Sequence, residues 1–418
     1  MTQDWTPRIP ALGNLAVALP ALEAATLPAL TRTEALADLA AAFDLAESQS
    51  PGHSARIAYL ATAIADRIGL DAPTRERVLV AALLHDSGIA VRATSEERED
   101  ARGHTAAGAW AAAKFGLDRT VQEAIRSSHE RWDGTGRPRG LAAEAIPIEA
   151  LAVAAAHWAA DEGDGLDNPL VARSRLRQPL ASLLPVMGPR VAQALAEVLQ
   201  ADSTWIALSA RNLGSMLATP AASPAGASTE TLVEVARVFG EVIDAAAREP
   251  GRSQQVAALA VALGRQTAMP EAMLDALRVA GYLLDLGLLG VPRHITDKPA
   301  ILTVEEMETM QRHASASARI VEALPGMDVV AHWIESHHER MDGRGYPEML
   351  QGEEIPLPAR ILAIADTYAA LRAERPYRNA FSAETAIDII GGGAGDQFDP
   401  AVVEMLPAAL AEAESSAA

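Results

Sequence analysis

"SSHERWDGTGRPRGL" (Ser127 to Leu141) and "HHERMDGRGYP" (His337 to Pro347) are two versions of one stretch, and their pairing decides how the chain is built. Each opens on His-Glu-Arg, turns at Asp-Gly and closes on Gly-x-Pro. The match holds outward in both directions. "AIPIEALAVAAAHWA" (from Ala145) follows the first and "EIPLPARILAIADTY" (from Glu354) the second. Upstream, "RGHTAAGAW" (from Arg102) pairs with "QRHASASAR" (from Gln311), and "AALLHDSGI" (from Ala81) with "AGYLLDLGL" (from Ala280). "PGHSARIAYLATAIADRIGL" (from Pro51) pairs with "PGRSQQVAALAVALGRQTAM" (from Pro250). The separation is constant on either side of a short insertion in the second copy between Asp285 and His313. The chain is a tandem duplication.

Each copy consists of segments with apolar residues three and four apart, broken by Gly/Pro turns, as in "TETLVEVARVFGEVIDAAARE" (from Thr229). That spacing is helical, and no sustained alternation predicts a strand. The fold class expected is all-α, with two tandem helical domains. An N-terminal leader (1–41) precedes a first domain (42–216). A linker (217–229) rich in Ala, Pro, Ser and Thr joins it to a second domain (230–408) and an acidic tail (409–418). The leader is apolar but interrupted by Pro10, Pro20, Glu23 and Pro28, which suits neither a signal peptide nor a spanning helix. We expect it to pack against the first domain or a partner, and expect no membrane association.

The 418 residues are 49% hydrophobic and 22% charged, the balance of a globular protein. A formal charge of −20 argues against a nucleic-acid polymer as partner, while leaving room for one small nucleotide held by local cations. There is no cysteine, so disulfides, Fe–S clusters and thiol chemistry are excluded, which fits a cytoplasmic protein.

The chemistry lies in the ten histidines, five to each half. In the first copy they are His53, His85, His104, His129 and His157, with Asp86 directly after His85. Imidazole and carboxylate together suit Zn, Fe or Mn, and a carboxylate beside a histidine can bridge two ions. Single ligands on successive helices are what a site inside a helical bundle needs. Two ions bridged in this way lower the pKa of a shared water.

The order His…His-Asp…His…His-Glu resembles the HD superfamily of metal-dependent phosphohydrolases. "HHERMDGRGYP" with "RILAIADTYAALRAERPYR" resembles its HD-GYP subfamily, over most of residues 230–408 and more loosely over 42–200. The resemblance implies a helical fold holding two or three divalent ions, Fe or Mn foremost (Zn, Mg, Ni and Co also suit), and hydrolysis of cyclic di-GMP. It places His53, His85 and Asp86 on one ion, with Asp86 bridging to a second on His104 and His129. His157 falls where the family has a closing aspartate. Ser128 replaces the first of the subfamily's paired histidines, and Gly136-Arg137-Pro138 replaces its GYP. In the second copy Asp285, His313, His337, His338 and Asp366 match ligand positions and Gly345-Tyr346-Pro347 is intact, but Arg252 and Leu284 replace two ligands. Ile89 and Leu288 stand where the family has a lysine. Asp86 and Asp133 are the catalytic candidates of the first copy, Asp133 (like Asp342) as a residue orienting a ligating histidine. Arg137, Gly345, Tyr346, Pro347, Arg375 and Arg378 are the substrate-binding candidates; His294 and His332 match no ligand position.

The resulting expectation is a phosphodiesterase active in the first domain, with a regulatory second domain. Two alternatives stay open: an inactive adaptor that binds nucleotide or a partner protein, and an HD nucleotidase or (p)ppGpp hydrolase. A second copy of the chain or a diguanylate cyclase-type protein is the macromolecular partner to consider.

Overall fold

The computed structural model describes residues 25–46, 52–91, 101–163, 168–176, 180–210, 213, 217, 227–374 and 379–417. Among these the chain is all-α, with isolated bridges in place of strands. The first half runs α1 (Arg32–Leu39), α2 (Ala41–Ala46), α3 (His53–Ile68), α4 (Ala72–Leu83), α5 (Ser87–Val91), α6 (Ala101–Lys114) and α7 (Arg119–Arg126). It continues with α8 (Ile148–Glu162), α9 (Pro169–Arg175), α10 (Leu180–Gln200) and α11 (Asp202–Leu208). The second runs α12 (Thr229–Ala247), α13 (Arg252–Gln266), α14 (Glu271–Leu283), a 3₁₀ turn at Leu286–Gly290, α15 (Arg293–Thr296) and α16 (Val304–Glu322). It ends with α17 (Asp328–Glu335), α18 (Leu357–Arg372), α19 (Ala383–Gly392) and α20 (Pro400–Ala417).

Local chemistry sets these boundaries. Thr31 and Glu34 form a capping box at the start of α1, and Thr303 and Glu306 another at α16. The side chain of Asp71 caps α4. α3 ends on left-handed Gly69, and buries Ile57, Ala58, Leu60, Ala61, Ile64 and Ala65 along one stripe. In each copy one helix is central. α3 packs on α4, α8 and α10, and its counterpart α13 packs on α14, α18 and α20.

The two copies share one core, through reciprocal contacts. α2 packs on the turn Leu286–Gly290, and α12, which corresponds to α1 and α2, packs on α5, the counterpart of that turn. Leu30 and Ser228 exchange both backbone hydrogen bonds, at 3.4 and 3.1 Å. Phe239 stacks on Phe43 (centroids 5.3 Å apart) and meets Phe115 edge-on, and Phe43 and Phe239 are both fully buried.

Segments near both ends join the helical core. Part of the stretch read as leader is structural: Ala25, Leu27 and Leu30 are buried, and α1 touches α4 of the first copy and α12 and α16 of the second. Residues 409–417 are the last turns of α20, with Ala409 in the core and Glu412 bonded to Arg265 and Gln266.

Candidate metal centres

In the first copy, separate helices bring the imidazoles to one place. His53 is the first residue of α3, His85 and Asp86 follow α4, His104 sits on α6, His129 follows α7, and His157 is on α8. His53, His85 and Asp86 offer ligand atoms within 4.8 Å of one another, and all three are buried. His85 Nε2 lies 2.6 Å from Asp86 Oδ2, yet the nitrogen has no hydrogen-bond partner, so the contact is too bent for a hydrogen bond. His104 Nε2 and His129 Nε2 meet at 2.8 Å, both aimed at one point. The His157 ring lies 5.3 to 6.4 Å from those of His85, His129 and His53, between the two groups.

The site's electrostatics favour a cation. His85 Nδ1 lies 2.7 Å from the Ala82 carbonyl, which fixes a proton there and turns the Nε2 lone pair inward. Burial, with nearby His85, lowers the pKa of His53 to about 4. Burial, with His157 and His104, lowers that of His129 to about 3. Both are therefore neutral near pH 7, as a ligand must be. Both ring nitrogens of His53 are buried without a partner. Buried polar atoms are rarely left so, and a cation on His53, His85 and Asp86 would engage the lone-pair nitrogen of each ring. His157 differs: burial works against its charge, but the hydrogen bond to Asp161 (3.1 Å) and the nearness of Asp86 carry its pKa above the ordinary range.

Sequence reasoning missed what holds the first ligand. Asp44 of α2 accepts Gly52 N–H (2.8 Å), Ser54 N–H (2.9 Å) and Ser54 O–H (2.6 Å), pinning the start of α3 where His53 sits. Asp244 of α12 does the same for Ser253, beside Arg252. The repetition of Asp and Ser in both copies was the available signal. A second device is Gly88. A Cβ there would lie 1.8 Å from the His104 carbonyl oxygen, so its absence lets α5 and α6 touch; Gly287 does the same against His313. The third is the Glu of His-Glu. Glu130 accepts the N–H groups of Arg139 and Leu141, and Glu339 those of Glu348 and Leu350, closing the loop that follows each histidine.

Asp133 corrects an expectation. It is exposed and bonded to Thr135 and Arg131, which holds its carboxyl at about 2, and it touches no histidine. Its role is to shape the Asp-Gly turn, where Gly134 takes φ 77°. Asp342 does likewise with Arg340 and the Arg344 N–H. Arg137 donates its backbone N–H to the His129 carbonyl, as Tyr346 does to His338, and its exposed guanidinium has no ion-pair partner among the described residues. Arg375 and Arg378 lie outside the described residues.

The second copy keeps half of the cluster. His313, His337 and His338 offer atoms within 4.8 Å of one another, and His313 and His337 point Nδ1 at the carbonyls of Met310 and Ile334. Ser128 reproduces the last of these bonds in the first copy, to Ile125 (2.9 Å), but offers no nitrogen beyond it. On the other side Arg252 reaches Asp366 (2.6 Å) and Asp285 (3.2 Å). Burial would raise the Asp285 carboxyl, but Arg252 and the neighbouring imidazoles bring it below its ordinary value. Asp285 also lies 3.6 Å from His313 Nε2. Asp366 is thus tied to a guanidinium. Tyr346 leans on the His338 ring (4.8 Å), while Gly345 packs against the backbone of Glu339 and Arg340 and Pro347 follows a cis bond in the same turn.

Two family models described as HD domain match the chain, over residues 52–158 and 238–402. A 3′3′-cGAMP-specific phosphodiesterase of Vibrio cholerae is 30% identical over 309 residues, which is 72% of this chain and 66% of that protein. A cyclic di-GMP phosphodiesterase of Thermotoga maritima is 36% identical, over 36% of this chain and 42% of that protein. Another, of Pseudomonas aeruginosa, is 40% identical, over 36% of each. These matches span two thirds or less of each relative's length. In fold, the chain is similar to the crystal structure of a cyclic GMP-AMP-specific phosphodiesterase of V. cholerae. The TM-score is 0.65 at 24% identity, over 91% of this chain and 98% of that one. No helix among the described residues is long and apolar enough to cross a membrane.

Proposed function

The chain belongs to the HD-domain family as a tandem, HD-GYP-like member, and on that premise we propose that it is a metal-dependent phosphodiesterase whose first copy cleaves a cyclic dinucleotide. The observation that carries this reading is the convergence of five imidazoles and Asp86, with His53 and His85 nitrogens buried and unsatisfied. His53, His85 and Asp86 would hold one divalent ion, Fe or Mn foremost. Asp86, His104, His129 and His157 would hold the other. When bound, such ions draw a nucleophile from water near neutral pH and neutralise charge on the phosphoryl oxygens.

The protein's own part is positioning. The Ala82 carbonyl orients His85, Asp161 orients His157, and Asp44 fixes His53 through the start of α3. The exposed Arg137, its backbone held by the His129 carbonyl, would meet a phosphate of the substrate. Cyclic di-GMP is the substrate we favour, and 3′3′-cGAMP the one to compare with it, since named relatives act on each. The second copy, and its reciprocal contacts with the first, would regulate that activity.

The test is hydrolysis of both dinucleotides by the Mn- or Fe-loaded chain, followed by separation of the products. Asp86→Ala is expected to lower turnover by at least a thousandfold and to reduce the metal bound per chain. Full turnover in that variant would falsify the assignment.

A further inference from the structure

The second copy contains a cleft of about 280 Å³, bounded by α12, the turn Leu286–Gly290, α15 and α16. Four groups that face it are unsatisfied or aimed at a shared point. On one side His313 Nε2 is buried without a hydrogen-bond partner, next to His338, with His337 Nε2 in the same condition behind them. On the other side Arg252 Nη1 is buried and equally without one, while Arg293 Nη2 is buried with no hydrogen bond, its charge facing Asp297 Oδ2 at 3.1 Å. The rest of each guanidinium is anchored. Arg252 Nη2 holds Asp285 and Asp366, while Arg293 gives Nη1 to the Ala246 carbonyl and Nε to Asp297. Buried N–H groups fixed in place with no acceptor are costly in themselves and suit an oxyanion.

The same geometry does not fit a pair of ions. Arg252 replaces the residue equivalent to His53, and its guanidinium lies between two carboxylates that a second ion would need. Leu284, buried in the core, replaces the equivalent of His85. A dication placed there would face a like charge and ligands already paired. What remains is three imidazoles for one ion, with a fixed cation standing opposite.

We propose that the second copy is a receptor for a nucleoside monophosphate, gripping the phosphate between one divalent ion on His313, His337 and His338 and the guanidiniums of Arg252 and Arg293, without hydrolysing it. The polar end takes one phosphate, and Leu289, Val291 and the Tyr346 ring offer an apolar wall for a base. The volume is at the small end of ligand pockets, and two linked nucleotides exceed it. With a single ion, the site has no second one to neutralise a leaving oxygen, so the ligand is bound and kept. This deepens the regulatory role given to the second copy, and does not depend on catalysis in the first.

The experiment uses the full chain with His53→Ala, Asp86→Ala, His104→Ala and His129→Ala, which remove ligands of both ions of the first copy. After loading with Mn²⁺ and removal of excess, elemental analysis is expected to give one manganese per chain, and none once His337→Ala is added. Calorimetric titration with guanosine 5′-monophosphate and with inorganic phosphate is expected to show binding to the loaded chain. That affinity falls at least tenfold in Arg293→Gln with the manganese content unchanged, and Arg293→Lys recovers part of it. Thermal unfolding of each variant separates loss of the site from loss of the fold. Zero or two ions per chain, or equal affinity in Arg293→Gln and its parent, overturns the proposal. A chain that hydrolyses nothing in the earlier assay yet passes this one leaves it standing.

Discussion

Gly88→Ala puts the link between helix packing and metal binding under direct strain. The added methyl would lie 1.8 Å from the His104 carbonyl oxygen and 2.5 Å from Gly108 N, both backbone atoms that no rotamer change can move. A comfortable carbon–oxygen contact is about 3.3 Å, so α6 must retreat by about 1.5 Å. Overpacking of that kind costs about 2–3 kcal/mol, or roughly 2–4 °C in unfolding midpoint for a chain of this size. The larger consequence is local. Metal–ligand distances tolerate about 0.2 Å, so His104 is carried out of reach of an ion shared with His129. The variant should keep the ion on His53, His85 and Asp86 and lose the other. Manganese titration of the full chain, read by elemental analysis beside a melting curve, tests both parts. If Gly88→Ala binds as much metal as the parent with equal affinity, the glycine contact does not place His104 and the reasoning fails.

Other consequences follow from single contacts. Glu130, 1% exposed, accepts two backbone N–H groups, so Glu130→Ala should cost about 2–3 kcal/mol in denaturant unfolding, beyond any change in activity. Ser128→His should tighten metal binding in the first copy, since the serine occupies the place that His337 fills in the second and already makes its carbonyl bond; competition against a chelator measures it. Burial, with Glu34 nearby, raises the Asp38 carboxyl to about 6 from 3.8. The folded state therefore takes up a proton between these values, and stability rises as pH falls from 6 toward 4. Asp38→Asn should be more stable than the parent by up to about 3 kcal/mol at pH 7, with the gain gone at pH 4 in melting experiments. Phe239→Ala removes a fully buried ring shared by both copies and should cost about 3–5 kcal/mol, with one calorimetric transition splitting into two.

The architecture was legible because helical periodicity and the duplication are both carried by local sequence. His53, His85, Asp86, His104 and His129 could be named because their order resembles that of the HD superfamily; Asp86, His104 and His129 also recur as Asp285, His313 and His338, whereas Arg252 and Leu284 stand for His53 and His85. What holds them could not. Asp44 lies well before Ser54 along the chain, and their bond exists only once α2 folds back on α3. Gly88 looks like an ordinary turn glycine until α6 is laid against it. Asp133 misled because an Asp-Gly pair near a histidine suits an orienting carboxylate as well as a turn, and only the fold shows its oxygens given to Thr135 and Arg131. The reciprocal contacts between copies were equally hidden, since they depend on surfaces far apart in sequence.

The two copies solve one electrostatic problem in different ways. A carboxylate buried in a helical core needs a positive partner, because an uncompensated charge there costs several kcal/mol. In the second copy Arg252 supplies that partner from within the chain, and Asp285 and Asp366 are satisfied whatever the solution contains. In the first copy the equivalent position is His53, held neutral by its surroundings, and it shares a ligand cluster with His85 and Asp86. One copy therefore carries a permanent counter-charge on Arg252, while the other surrounds Asp86 with imidazoles, of which His157 is raised toward its charged form, and can take a cation from solution. A single exchange of imidazole for guanidinium at the start of a helix is enough to account for that division, since the same left-handed glycine and the same aspartate–serine clamp precede both residues. The duplicated scaffold is thus kept in both halves, and it is the origin of the cation, not the fold, that sets them apart.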